Sequence, residues 1–158
     1  MKQPKKVLVV FYSRSGKTKK VAESVSAELK CGIEEINDTI NRKGIFGYIK
    51  AGREASRSKS TVIKQIKNNP AQYDLVIIGT PIWASNMSSA IRTYIDQNKN
   101  KFKSVAFFTT MMGGGDKKAF SKMEELCGKK PVNIMSLKSG DISKGTYLEK
   151  VKAFVSTL

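Results

Sequence analysis

Unbroken apolar stretches alternate with amphipathic stretches along the whole chain. Short runs rich in Val, Ile, Leu and Phe are typical of parallel strands that are buried on both faces. Such runs predict strands at residues 6–12, 33–36, 73–79, 104–110 and 132–137. Between them, apolar residues recur at helical spacing, as Val21, Val25 and Leu29 do. This spacing predicts helices at residues 16–30, 88–97, 117–127 and 145–157.

The alternation of strand and helix signals predicts an α/β fold. We expect a three-layer, doubly wound parallel sheet of five strands in the order 2-1-3-4-5, with right-handed connections. In such a sheet, ligands bind outside the carboxyl ends of the strands at the point where the winding reverses. For this order the reversal lies between strands 1 and 3. The loops after Tyr12, Gly79 and Thr110 are therefore the candidates for a binding site.

One connection is longer than the fold needs. Residues 38–70 separate the second and third predicted strands, and they begin with a glycine-rich segment followed by basic sequence. We interpret this stretch as an enlarged helical connection, with one or two helices that end at about Lys67. The chain has no internal repeat or composition break, so we expect one domain over residues 1–158.

The loop after the first strand combines hydroxyls, a glycine and two cations at the start of a helix. Free N–H groups and the helix dipole favour an anion at such a place, and a monophosphate is the simplest ligand. A plain capped helix start is one alternative. A nucleoside-triphosphate loop is another, but Phe11 stands where that motif needs its first glycine. The predicted phosphate-binding residues are Ser13, Arg14, Ser15, Gly16, Lys17 and Thr18.

The loop after the third strand holds Trp83, the single tryptophan of the chain. We expect Trp83 at the rim of the sheet and outside the core, where its ring is a platform for a flat ligand. The alternative is that Trp83 caps the edge of the core. The predicted binding residues here are Thr80, Pro81, Ile82, Trp83, Ala84, Ser85 and Asn86.

The loop after the fourth strand contains three consecutive glycines. Their exposed N–H groups can approach a planar heterocycle and donate to its carbonyls, although a flexible turn is the alternative. The predicted binding residues are Thr110, Met111, Met112, Gly113, Gly114, Gly115 and Asp116. A phosphate site, an aromatic wall and a glycine-rich loop at one sheet edge together indicate a mononucleotide with a large planar head.

The charge balance is strongly positive: 29 Lys and Arg residues against 13 Asp and Glu residues give a formal charge of +16. Such a surface favours a negative partner, and charge alone leaves nucleic acid, an anionic membrane surface, an acidic protein and a phosphorylated ligand open. No apolar run approaches the roughly 18 residues of a membrane span. The apolar run after the basic N-terminus is too short for a secretory signal, so we expect a cytoplasmic protein.

The chain has two cysteines and no histidine. Zinc sites of the Cys/His type and Ser-His-Asp or Cys-His catalysis are therefore excluded. A domain of about 150 residues buries enough surface to fold without a disulfide or a metal. Cys31 and Cys127 are accordingly predicted to be reduced thiols, and we predict no metal site.

The three loops together resemble the flavin-binding loops of flavodoxins. Residues 13–18 match the flavodoxin phosphate-loop pattern (S/T)-x-(S/T)-G-x-T. Residues 80–83 are similar to the ring-stacking loop of the family, and residues 110–116 follow the strand that precedes the third flavin loop. The likeness covers essentially the whole chain. It implies a flavodoxin-like fold and FMN bound without a covalent link.

The resemblance also assigns roles to the loops. The first would hold the phosphate, the second would cover one face and edge of the isoalloxazine, and the third would meet its pyrimidine side. Flavodoxins are one-electron carriers whose flavin cycles through a semiquinone. The resemblance therefore implies electron transfer between protein partners, with the chemistry on the cofactor and no catalytic side chain.

Three features differ from the usual flavodoxin pattern, and one of them is the 38–70 connection, which is longer than a minimal flavodoxin needs. Familiar flavodoxins are acidic, whereas this chain is basic, which points to an acidic redox protein as the partner. The third loop lacks the usual aromatic residue and has Met111 and Met112 as its bulky side chains. We expect that Phe46 or Tyr48 of the long connection could reach the flavin.

Two other functions stay open on the sequence. One is an FMN-dependent oxidoreductase of the quinone-reductase or protoporphyrinogen-oxidising type, with the long connection as part of its pocket. The other is a basic scaffold that binds nucleic acid or an anionic surface. No recognised nucleic-acid motif occurs in the chain, so we expect no specific nucleic-acid partner. We further expect no membrane span, and a monomer or weak dimer.

Overall fold

The computed structural model describes residues 5–39, 49–50, 53 and 60–158. Strands and helices alternate through these residues. The strands are β1 (Val7–Phe11), β2 (Gly32–Glu35), β3 (Leu75–Trp83), β4 (Asn86–Met87), β5 (Val105–Met111) and β6 (Ile134–Lys138). The α-helices are α1 (Lys17–Leu29), α2 (Ser89–Asn98), α3 (Asp116–Cys127), α4 (Ser139–Lys144) and α5 (Leu148–Ser156). Short 3-10 helices span Pro70–Gln72 and Lys99–Lys101.

The strands form one sheet in the order β2-β1-β3-β5-β6, and these five are parallel. The predicted five-strand order is confirmed. The short β4 pairs antiparallel with the end of β3 and was not predicted. Right-handed crossovers between parallel strands place helices on both faces of such a sheet.

Both faces of the sheet carry a buried apolar cluster, which gives the predicted three layers. On one face, Phe108 of β5 packs in a cluster with Val21 of α1 and Phe154 of α5. On the other face, Phe107 of β5 belongs to a cluster with Ile91 of α2. Strands buried on both faces explain the unbroken apolar runs of the sequence. None of the helices in the described residues is long and apolar enough to cross a membrane.

The predicted helices agree with the structure except near the C-terminus and in the long connection. The last predicted helix begins later than expected, at Leu148, and the short helix α4 precedes it. In the connection, Ile49, Lys50 and Arg53 are helical. The predicted Phe46 and Tyr48 contact, and most of the glycine-rich entry, lie outside the described residues.

The prediction that helix continues to about Lys67 is wrong for the described residues 60–69, which contain no helix. The backbone groups of this segment bond to distant parts of the chain. Ile63 forms an isolated antiparallel bridge with Asp38. The N–H of Thr61 donates to the Thr93 hydroxyl of α2, which in turn donates to the carbonyl of Thr61. Tertiary partners thus replace the i to i−4 bonds that a helix would supply.

The carboxylate of Glu34 in β2 anchors the same segment. It accepts the backbone N–H groups of Lys67 at 2.7 Å and Asn68 at 2.8 Å, and the Asn68 side-chain amide at 2.7 Å. Glu34 is only 7% exposed. Hydrogen bonds to a charged acceptor are the stronger ones, so these three bonds stabilise the irregular conformation of the segment.

We therefore expect Glu34→Ala to lower the free energy of unfolding by about 2–4 kcal/mol, because two backbone N–H groups and the Asn68 amide lose a charged, part-buried acceptor. Urea denaturation followed by circular dichroism measures this. The matched control is Glu35→Ala, which removes a half-exposed carboxylate 3.9 Å from the Lys19 ammonium. That change should stay within about 0.5 kcal/mol. Equal losses in the two variants would contradict an anchoring role for Glu34.

Candidate functional site

The carboxyl ends of β1, β3 and β5 border a cleft of about 420 Å³. This volume lies within the range of small-molecule sites. The cleft sits at the edge of the sheet where the winding reverses, and parts of all three predicted loops reach it. The residues that line it are Arg14, Ser15, Lys17, Thr18, Pro81, Ile82, Trp83, Ala84, Ser85, Thr110, Met111, Met112, Gly113, Gly114 and Ser139.

The first loop presents the N-terminus of α1 to the cleft. Gly16 precedes the helix in the left-handed region, with φ at 94°, and no side chain caps the helix in the described structure. The Ser13 hydroxyl instead accepts the N–H of Gly16 at 3.0 Å, which tightens the turn. The alternative of a plain capped helix start is therefore wrong. The first N–H groups of α1 remain available to a ligand, as an anion site at a helix start requires.

A pair of buried hydroxyls joins the first loop to the third. The Oγ1 atoms of Thr18, in the first turn of α1, and Thr110, near the end of β5, are 2.8 Å apart. Thr18 is 2% exposed and Thr110 is 4% exposed. This contact holds the helix start against the end of the neighbouring strand, so it fixes one wall of the cleft.

Trp83 does not lie where the sequence placed it. The third strand continues past Gly79 to Trp83, which is 6% exposed and belongs to the buried cluster on the α2 side of the sheet. Its ring meets the Tyr12 ring edge to face, with 5.6 Å between centroids. The predictions of a loop starting at Thr80 and of a rim tryptophan outside the core are therefore wrong. Trp83 lines the cleft while remaining in the core.

Pairing with β5 extends the strand through this region. Thr80 pairs with Thr109, and Pro81 pairs with Thr110. Pro81 is tolerated because consecutive strand residues direct their N–H groups to opposite sides. At Pro81 the backbone nitrogen faces β1, and β1 has already ended at Phe11. The missing N–H of proline therefore costs the sheet no hydrogen bond.

The chain then reverses through a two-residue hairpin. Trp83 pairs with Asn86, and the turn residues Ala84 and Ser85 have φ values of 49° and 59°. Positive φ at both positions is the geometry of a type I′ turn, which normally selects Asn-Gly or Gly-Gly. Since Ala-Ser lacks that signal, the hairpin could not be predicted from the local sequence.

The third loop packs closely against this hairpin. A side chain at Gly115, where φ is 100°, would come within 2.8 Å of the Ser85 Cα. Gly113 and Gly114 have open space around the Cβ position. Met111 is 9% exposed, whereas Met112 is 79% exposed and stands at the mouth of the cleft. The end of the loop, at Gly115, is therefore packed against the hairpin, whereas Gly113 and Gly114 in its middle have free space around them.

Several predicted site residues do not line the cleft but support its walls. The Thr80 hydroxyl accepts the N–H of Ser88 at 3.0 Å, and the Asn86 side chain accepts the N–H of Met87 at 2.9 Å. The Asp116 carboxylate accepts the Ser136 hydroxyl at 2.9 Å. The predicted residues outside the lining are Ser13, Gly16, Thr80, Asn86, Gly115 and Asp116.

Ser139, at the first position of α4, lines the cleft and was not predicted. It follows β6, so the loop after the fifth parallel strand also reaches the site. The sequence offered only a serine and a glycine there. The lining carries the cations Arg14 and Lys17, and no carboxylate occurs among the described lining residues. The cleft is therefore suited to an anionic ligand.

Comparison with known proteins agrees with the observed fold. The sequence matches the family model described as flavodoxin over residues 6–158. The fold is similar to that of a flavoprotein from Lactobacillus acidophilus NCFM solved in complex with FMN. That match has a TM-score of 0.73 and 29% identity, and it covers 90% of this chain and 99% of the other.

Two further structures extend the likeness. The apo-form of the Lactobacillus acidophilus NCFM flavoprotein, solved by NMR, has a TM-score of 0.65 and 30% identity, with 90% of this chain and 98% of the other covered. Oxidised flavodoxin 1 from Bacillus cereus has a TM-score of 0.53 and 17% identity, with 97% and 99% covered. On the family match over nearly its whole length, the chain belongs to the flavodoxin family.

Proposed function

We propose that this protein binds FMN non-covalently in the cleft and transfers electrons one at a time between protein partners. The observation that carries the proposal is the uncapped start of α1, which opens beside Arg14 and Lys17 into the same cleft as Trp83 and the third loop. The flavoprotein of Lactobacillus acidophilus, similar over 90% of this chain, was solved with FMN. Family and geometry thus support the same ligand.

The residues present fit FMN. The N–H groups at the start of α1 would donate to the phosphate, and Arg14 and Lys17 would neutralise its charge. Pro81, Ile82 and Trp83 would form an apolar wall that excludes water from one side of the ring. The middle glycines of the third loop would let backbone N–H groups approach the ring edge. Bound FMN supplies the redox chemistry, and these residues bind and orient it.

The test is a pair of fluorescence titrations of the purified protein, one with FMN and one with riboflavin, which has the same ring without the phosphate. We expect FMN to bind at one site per chain and at least about tenfold more tightly than riboflavin, because the charge-assisted bonds to the phosphate are lost with riboflavin. Absence of FMN binding, or equal affinities for FMN and riboflavin, would refute the proposed phosphate site.

The variant Lys17→Gln sharpens this test. We expect it to weaken FMN binding about tenfold and to reduce the salt dependence of the affinity, while riboflavin binding stays unchanged. The matched control is Lys30→Gln, which removes the same charge at the opposite end of α1. If Lys30→Gln weakened FMN as much as Lys17→Gln, the effect would be one of net charge and not of a local contact.

We propose further that the electron-transfer partner is an acidic redox protein. The basis is the formal charge of +16, together with a cleft whose described lining has two cations and no carboxylate. Opposite charges accelerate the diffusional encounter and are screened by salt. The rate of reduction by an acidic partner should therefore fall steeply with ionic strength. Steady turnover of NAD(P)H with a quinone, and no partner protein present, would instead favour the oxidoreductase function.

A further inference from the structure

Thr110 is placed to act on the phosphate end of the cleft, although its loop is otherwise arranged for a ring. Its Oγ1 atom lies 2.8 Å from the Oγ1 of Thr18, in the first turn of α1. Both side chains are almost fully buried, and both residues line the cleft. The contact therefore joins β5 directly to the helix start that the phosphate would occupy.

Each hydroxyl has one proton, so the pair has two possible arrangements. If Thr18 donates to Thr110, the Thr18 proton points away from the helix start, and its lone pairs face any anion there. If Thr110 donates to Thr18, the Thr18 proton is free to donate to the anion. A phosphate oxygen at the N-terminus of α1 favours the second arrangement, because hydrogen bonds to a charged acceptor are the stronger ones.

We propose that Thr110 is a positioning residue for phosphate recognition: by donating to Thr18, it directs the Thr18 hydroxyl proton at the phosphate. This inference rests on the proposed FMN site and adds a residue from the third loop to its phosphate end. Thr110 thereby contributes to the preference for FMN over riboflavin and not to the affinity for the ring.

The adjacent residue in β5 provides a matched control. Consecutive strand residues face opposite sides of the sheet, so Thr109 points away from α1. Thr109 is fully buried, and its hydroxyl has no hydrogen-bond partner in the described structure. Thr109→Val and Thr110→Val make the same chemical change one residue apart, and only Thr110→Val removes the contact with Thr18.

The experiment is the measurement of FMN and riboflavin affinities for the full-length wild type, Thr109→Val, Thr110→Val and Thr110→Ser. We expect Thr110→Val to weaken FMN about tenfold and to leave riboflavin unchanged. Thr110→Ser keeps the hydroxyl and should restore FMN affinity to within about twofold of the wild type. Thr109→Val should change neither affinity. Urea denaturation of each variant confirms that it is folded.

A double-mutant cycle provides a second readout. If Thr110 acts only through Thr18, then Thr18→Val with Thr110→Val should weaken FMN no more than Thr18→Val alone. Equal weakening of FMN and riboflavin by Thr110→Val, or strictly additive effects in the cycle, would overturn the proposal. Failure of the wild type to bind FMN would refute the proposed function itself, so the two failures are distinguishable.

Discussion

Gly79→Ala is expected to lower the free energy of unfolding by about 3–5 kcal/mol, the largest effect among the changes considered. A Cβ atom at this position of β3 would overlap the Cζ and Cε2 atoms of the Phe108 ring. The Phe108 ring is fully buried between β5 and the helices on the α1 side. It cannot move aside without leaving its place in the core. The melting temperature should fall by about 10 °C or more.

Two variants make this prediction specific. Gly32→Ala, in edge strand β2, places a Cβ 3.5 Å from the Leu8 side chain, which is ordinary contact. It should be neutral or stabilise by about 0.5 kcal/mol, because alanine loses less backbone entropy than glycine. Combining Gly79→Ala with Phe108→Leu should recover part of the loss. A stability of Gly79→Ala close to that of the wild type would mean that the Phe108 ring does not lie against Gly79.

Gly115→Ala is expected to cost about 2–4 kcal/mol of stability and to weaken FMN and riboflavin by the same factor, at least about tenfold. Two causes add. The residue has φ at 100°, which alanine adopts only at a cost, and the new Cβ would come within 2.8 Å of the Ser85 backbone. The hairpin turn and the third loop would separate, and the cleft would lose the fit between its two walls.

The chain supplies controls for each cause. Gly16→Ala has a similar φ of 94° with nothing within 4 Å, so it should show the conformational cost alone, about 1–2 kcal/mol. Gly113→Ala has open space and should leave stability within about 0.5 kcal/mol. Calorimetry and flavin titrations measure both properties. If Gly115→Ala were no worse than Gly16→Ala, contact with Ser85 would not hold the loop.

The basic charge has different roles at different distances from the cleft. Arg14 and Lys17 line it and act on a ligand directly. Most of the other Lys and Arg residues that the structure describes are exposed and lie outside the lining of the cleft. At physiological salt, charges beyond about 8 Å are largely screened, so these residues act on the encounter with a partner and little on the bound ligand. The Lys17→Gln and Lys30→Gln pair separates the two roles.

The local sequence was sufficient to predict the alternating strands and helices. The sheet is buried on both faces, which requires the apolar runs of β1, β3 and β5. Each helix is buried on one face, which requires the helical spacing of residues such as Val21 and Val25. The sheet order and the site edge then followed from the handedness of parallel crossovers. The anion site at the first loop could also be predicted, because a glycine and hydroxyls just before a helix are typical of such a site.

Contacts between distant residues decided the rest. β3 continues through Pro81 because β5 pairs with it, and on to Trp83 because its last two residues pair with β4. The Ala84–Ser85 turn between β3 and β4 lacks the residues that usually adopt its geometry. Residues 60–69 are irregular because their backbone groups bond to β2 and α2.

The fine structure of the cleft has the same origin. Thr110 contacts Thr18 across 92 positions of sequence, and Ser139, the first residue of α4, lines the cleft. Hydrogen bonds and close packing between such residues depend on register and distance in space. The sequence by itself therefore determined the layers, the strand order and the place of the site, and the tertiary structure alone decided which side chains meet there.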